Sequence, residues 1–172
     1  HADNVAPIIL GGITLVRSIS DLDIIKLPSP KFLELIIIRP NIEIKTSDSR
    51  RVVKKKVKIE KMVQQSANLG AFISSLYSED FDLMSRSVVD EVVEPDRFML
   101  IPEFESIKKI STESGALSCG ISGSGPSIFA LSNNSDTSKI ILNNICRHLD
   151  QVRIDYDSFI SKVNSKGIKI LD

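Results

Sequence analysis

The chain has 172 residues, 42% of them hydrophobic and 26% charged, with 22 Lys and Arg set against 22 Asp and Glu. That is a globular composition with room for one proper core, since roughly 70% of the unfolded surface can be buried at this size. Zero net charge gives no overall field toward nucleic acid or a membrane, and no apolar run is long enough to span a bilayer.

The first segment reads HADNVAPIILGG. It begins without an initiator Met and inside a dense, motif-like stretch, which reads as a piece of a longer protein; a His1 left over from a tag is the other reading. His1, Asp3 and Asn4 bring an imidazole, a carboxylate and an amide together ahead of an apolar helix or strand. A helix cap by Asp3 or Asn4 is the simpler explanation of that cluster. Residues 11–18 and 32–40 are rich in Ile, Leu and Val and read as strands, with LPSP at 27–30 as the turn between them. Thr46 is a candidate N-cap with Asp48 in the first turn. Over residues 57–77 the spacing of Ile59, Met62, Val63, Ala67, Gly70, Ile73 and Leu76 predicts a helix with that set as its apolar face. A second helix covers about 81–89.

Residues 92–102 hold Pro95 and Pro102 and predict a loop or broken helix. A helix follows, with Pro102 in its first turn and Gly115 just past its end. ALSCGIS and PSIFALS form the arms of a hairpin around a glycine cluster. An amphipathic helix over 136–150 faces inward through Ile140, Ile141, Ile145 and Leu149, and residues 151–159 and 167–172 add short strands. Adjacent strand pairs interspersed with helices predict an α+β two-layer sandwich, mainly antiparallel, with helices on one sheet face.

Four constellations carry possible chemistry. In GISGSGPS, Gly120, Gly123 and Gly125 alternate with Ser122, Ser124 and Ser127. A two-residue turn needs fewer glycines, and such a backbone can aim successive N–H groups at one anion. A purely geometric turn also fits. Arg50, four residues after Thr46, opposes the helix dipole there, which suggests a task such as holding an anion, against the alternative of a solvated side chain. Arg97, between two prolines, is either a carboxylate clamp or the partner of Glu94 or Asp96. The basic run from Arg50 to Lys61 lacks interleaved aromatics and reads as a solvated face. His148 reads as a surface or helix-end residue and Cys119 as a small buried strand residue. Cys119 and Cys146 show no metal-ligand spacing, so a reduced, cytoplasmic setting is expected.

Taken together, HADNVAPIILGG, EPDRFMLIP and GALSCGISGSGPSIFAL resemble the C-terminal part of the homoserine kinases, a branch of the GHMP kinase superfamily, across essentially the whole chain. The resemblance implies one ferredoxin-like C-terminal domain over 1–172 and transfer of the ATP γ-phosphoryl group to the hydroxyl of L-homoserine, on the route to threonine. It implies that Asn4 and His1 lie near the reacting end of the substrate and that Arg50 and Arg97 bind its carboxylate. Thr46 would sit over the transferring phosphate, and Ser122, Gly123, Ser124 and Gly125 would form the floor near the nucleotide phosphates. ATP and Mg²⁺ would be held mainly by an N-terminal domain whose phosphate loop is not in this sequence, so the piece alone is expected to be inactive. A homodimer is a family expectation. Competing readings are another GHMP-type small-molecule kinase, acting on mevalonate or shikimate, and a non-catalytic ferredoxin-like small-molecule-binding domain.

Overall fold

The computed structural model describes residues 2–170, with every side chain among them except that of Thr46. The first element, α1 (Ala2–Leu10), ends where Gly11 N–H donates to the Pro7 carbonyl at 2.9 Å and Gly11 takes φ 68°, a left-handed helix stop. Next come β1 (Ile13–Ser18) and β2 (Asp23–Leu27), an antiparallel hairpin forming its own two-stranded sheet. Sequence pattern predicts no strand at 23–27. The few apolar residues there are flanked by acids, and LPSP follows β2 rather than joining the two strands expected to neighbour one another.

The main sheet is built on β3 (Glu34–Pro40), whose Ile36 and Ile38 are fully buried on one face while Leu35 packs toward the other. It is flanked by β5 (Ile128–Ser132) and β6 (Tyr156–Lys162), with β4 (Ser118–Ile121) on the outer side of β5, every pair antiparallel. With the helical block between β3 and β4 and a helix between β5 and β6, this is the split β-α-β order of a ferredoxin-like sandwich.

On one face lie α6 (Phe104–Glu113) and α7 (Ser135–Val152), burying Ile107, Ile141, Ile145 and Leu149 against Ile36, Ile38 and Ile128. Ile140, expected on that inner face, is exposed, because its neighbour Ile141 takes the inward position. The helix starts with Asn134, whose side-chain oxygen accepts from the amides of Asp136 and Thr137. Pro102 lies outside α6, whose N-cap is Glu103. The opposite face carries a smaller cluster from α3 (Ile59–Ser78), α4 (Phe81–Ser87) and the β1–β2 hairpin, centred on Leu76, Met84, Leu27 and Leu131.

Only the second half of α3 reaches that cluster. Ile59 (69% exposed), Met62 and Val63 (62%) face outward, against the predicted apolar face. The first half is instead held by polar groups on the 88–91 segment: Asn68 Nδ2 donates to the Val89 carbonyl at 3.2 Å, and Gln65 Oε1 accepts from the Glu91 amide at 2.8 Å. The predicted terminal strand at 167–172 is also absent among the described residues. There the tail crosses α1: Ile168 N–H donates to the Ile8 carbonyl and Gly12 N–H to the Asn164 carbonyl. A Cβ on Gly167 would lie 1.8 Å from the Ile9 carbonyl oxygen, so the crossing needs glycine there.

The Gly-Ser bend and the segments that hold it

The hairpin of β4 and β5 closes through Ser122 N–H to the Ser127 carbonyl (2.8 Å) and Gly125 N–H to the Ser122 carbonyl (3.1 Å). Gly123 and Gly125 take φ 61° and 78°, values that other residues reach only under strain. The bend is fastened from one side. Ser49 Oγ donates to the Ser124 carbonyl at 2.8 Å, and Arg97 Nη1 donates to the Gly123 carbonyl at 2.9 Å. Arg97 Nε also donates to the Ser49 carbonyl at 3.1 Å. Three hydrogen bonds thus join the bend, α2 (Thr46–Arg51) and α5 (Glu94–Arg97), which runs into a 3₁₀ turn, Phe98–Leu100. Carbonyl and N–H of a trans peptide point in opposite directions. Because the Gly123 carbonyl is drawn to Arg97, the Ser124 N–H in the same peptide faces the other way, and it has no protein partner among the described residues.

Neighbouring charges are committed elsewhere. Asp96 accepts from the Lys54 amide (2.9 Å) and ion-pairs with Lys54 Nζ (3.0 Å), and Glu94 pairs with Lys108. The backbone bond from Lys54, followed by its ammonium, holds the Asp96 carboxyl below the usual carboxylate range. Arg97 therefore does not pair with Glu94 or Asp96; two of its three nitrogens grip backbone carbonyls, and Nη2 has no protein partner among the described residues.

The other predicted residues fall as follows. Arg50 is exposed on α2, directly after the buried Ser49. It sits in the last turn of a six-residue helix, where a cation suits the dipole, so the suggested local conflict does not exist. Thr46 is the first residue of α2 and not its N-cap, which is Lys45; the Thr46 side chain and His1 lie outside the described residues. Asn4 is exposed on α1, which packs on β1 and the tail, and among the described residues no hydrogen bond links it to the bend. The structure thus ties Arg97, the helix of Arg50 and the bend together by hydrogen bonds.

Ser49 is missed by sequence reasoning. Nothing in TSDSRR marks its hydroxyl as buried; only its position between Thr46 and Arg50 hints at it. Cys119 is buried, as expected, and burial pushes its thiol up to about 11. His148 is not a free surface residue: its Nε2 lies 2.8 Å from Glu103 Oε2, and that bond lowers the Glu103 carboxyl below its ordinary value. Among the described residues no group of three His, Cys, Asp or Glu could hold a metal ion, and Glu94 and Asp96 are tied to lysines. No helix among the described residues is long and apolar enough to cross a membrane.

Residues 59–151 match the family described as "GHMP kinases C terminal". The chain is 39% identical to homoserine kinase of Chlorobium phaeobacteroides, over 99% of this chain and 54% of that protein. It superposes on the crystal structure of homoserine kinase from Cytophaga hutchinsonii with a TM-score of 0.95 and 43% identity, covering 97% of this chain and 53% of the other. Phosphomevalonate kinase of Streptococcus pneumoniae shares the fold, at a TM-score of 0.64 and 13% identity. The chain spans about half the length of the curated relatives it matches.

Proposed function

Since this chain belongs to the GHMP kinases, matching their C-terminal part, we propose that the whole protein is an ATP-dependent homoserine kinase. It would move the γ-phosphoryl group of ATP onto the hydroxyl of L-homoserine, giving O-phospho-L-homoserine for threonine synthesis in the cytoplasm. Phosphoryl transfer asks a protein chiefly for positioning and charge stabilisation. In this reading the outward Ser124 N–H, with the Ser122 and Ser124 hydroxyls, meets phosphate oxygens over a floor set by Gly123 and Gly125. Arg50, with the Nη2 end of Arg97, holds the amino-acid carboxylate. Thr46 would sit over the moving phosphoryl group, and Asn4 with His1 would orient the accepting hydroxyl. ATP, with Mg²⁺, would be bound mainly by the other half of the enzyme, so the 172-residue piece alone would not turn over. A homodimer belongs to the same proposal.

One observation supports this reading above the others: the bend is fastened by its carbonyls, which leaves the Ser124 amide and the Ser122 hydroxyl for an anion, with the Ser124 hydroxyl held only by a long 3.4 Å bond to the Gly125 carbonyl, beside an arginine with a nitrogen to spare. A structural turn needs no such fastening. The test is a phosphorylation assay on the full-length protein with ATP and a panel of L-homoserine, mevalonate and shikimate, products read by ³¹P NMR. The expected result is O-phospho-L-homoserine as the main product. Preference for mevalonate or shikimate would move the protein to another GHMP-type kinase, and no turnover with any of them would favour a binding domain.

A further inference from the structure

Resting on that kinase reading, we infer that Ser49 is a positioning residue of the site: its hydroxyl fixes the Gly-Ser bend and couples it to the helix that carries Arg50. Ser49 is fully buried, 0% exposed, yet its side chain is polar. A buried hydroxyl is retained only with a partner, and this one has the Ser124 carbonyl. Its own backbone carbonyl is taken by Arg97 Nε, and Arg97 Nη1 returns to the Gly123 carbonyl, which belongs to the residue next to Ser124. The three bonds close a ring through the Gly123–Ser124 peptide.

The ring has a consequence for the bend. Gly125 is backed by Ile101, but Gly123 is open, with no atom beyond its chain neighbours within 4 Å of the place a Cβ would take, so side-chain packing does not hold Gly123 itself in place. Two successive carbonyls held from the same side do. With the Gly123 carbonyl held by Arg97 and the Ser124 carbonyl by Ser49, the peptide between them cannot rotate, and its N–H stays outward. Without the Ser49 hydroxyl, the Ser124 carbonyl is left without a donor among the described residues, and the Ser124–Gly125 peptide keeps only the Gly125 N–H bond to the Ser122 carbonyl. Ser49 also follows Asp48 and precedes Arg50 on one short helix. A shift of that helix against the bend would move a carboxylate-binding guanidinium relative to the phosphate-facing amide, and misplacements of about 1 Å can cost roughly 10²-fold in rate. The Ser49 side chain touches neither substrate in this arrangement; it acts through the bend.

Ser49→Ala in the full-length enzyme tests this, with Ser111→Ala as a matched control. Ser111 is equally buried, and its hydroxyl donates to the Ile107 carbonyl within α6, away from the bend. Both variants should lower the melting temperature by similar amounts, roughly 2–4 °C. Only Ser49→Ala should lower kcat for homoserine, by about 10- to 100-fold, with KM values changed less than about threefold. Ser49→Thr, which keeps the hydroxyl, should recover most of that loss. Hydrogen exchange supplies a readout that needs no substrate: the Ser122 and Gly125 amides, bonded across the bend, should exchange faster in Ser49→Ala and unchanged in Ser111→Ala. A wild-type kcat in Ser49→Ala, or an equal loss in Ser111→Ala, overturns the inference. If the wild-type enzyme proves to act on another substrate, faster exchange confined to Ser49→Ala still supports the ring, and unchanged exchange refutes it. If Ser49→Ala does not fold, Arg97→Lys, which keeps the charge but cannot reach both carbonyls, should loosen the same two amides; no change there refutes the ring.

Discussion

Two glycine-bearing places in this chain look alike in sequence and behave oppositely in space. At the tail crossing, Gly11 and Gly167 are jammed: a Cβ on Gly11 would lie 2.6 Å from the Gly167 nitrogen, and one on Gly167 would lie 1.8 Å from the Ile9 oxygen. In the bend, Gly123 has the same kind of backbone angle as Gly11 but no neighbour within 4 Å. The first pair serves close packing between segments. The second leaves open space beside Gly123, whose carbonyl and that of Ser124 are held by hydrogen bonds from Arg97 and Ser49, and the proposed kinase reading sets a phosphate there. A glycine's neighbours, more than its conformation, separate a structural site from a candidate binding site.

Substitutions sharpen the contrast. The largest effect on stability belongs to Gly167→Ala, since backbone must move to admit the methyl. The expected cost is about 3 kcal/mol by urea unfolding, with loss of protection at the Ile168 and Gly12 amides. A cost under about 1 kcal/mol would show that the tail is not held by the crossing. Gly123→Ala meets no atom and should cost only the left-handed backbone penalty, about 1–2 kcal/mol. Under the proposed kinase reading, its effect on turnover in the full-length enzyme should nonetheless exceed tenfold, roughly, because a methyl there narrows the surface proposed to face the phosphates. A stability loss matching that of Gly167→Ala would erase the distinction between the two places.

The smallest effect concerns acid. Asp96 holds Lys54 and so steadies the short helix that delivers Arg97. Its carboxyl pKa is lowered in the folded chain. A lowered carboxylate pKa gives stability that is present above the unfolded value and is lost as pH falls through the folded one. The melting temperature should therefore drop below about pH 4, and Asp96→Asn should show a lower plateau at neutral pH with a shallower acid limb. Parallel acid limbs in both proteins would mean that the Asp96–Lys54 pair does not steady the bend.

Much of the frame is legible in the chain itself. The hairpin around the glycines, the break at 94–100 and the buried Ile141, Ile145 and Leu149 of α7 all follow from local pattern, because each is decided by residues near one another in sequence. What pattern misses is decided at a distance. β2 is a strand because β1 lies beside it, and GIKI stays irregular because α1 takes its hydrogen bonds. The periodicity of α3 marks a helix, but of its predicted apolar face only Ile73 and Leu76 turn inward. The site divides in the same way. Arg97 stands out through its two prolines, yet its real partners are carbonyls 26 and 48 residues away, while the acids beside it in sequence turn to Lys54 and Lys108. Ser49 carries no local signal beyond its place between Thr46 and Arg50.

The outward half of α3 has a practical corollary for a preparation of this 172-residue chain. It displays Ile59, Met62 and Val63 to solvent in a molecule whose isoelectric point is about 6.9. Near neutral pH, copies would meet with sticky patches and no mutual repulsion. Buffers one or two units away from neutrality, rather than added mutations, are the simplest means of keeping such a preparation dispersed.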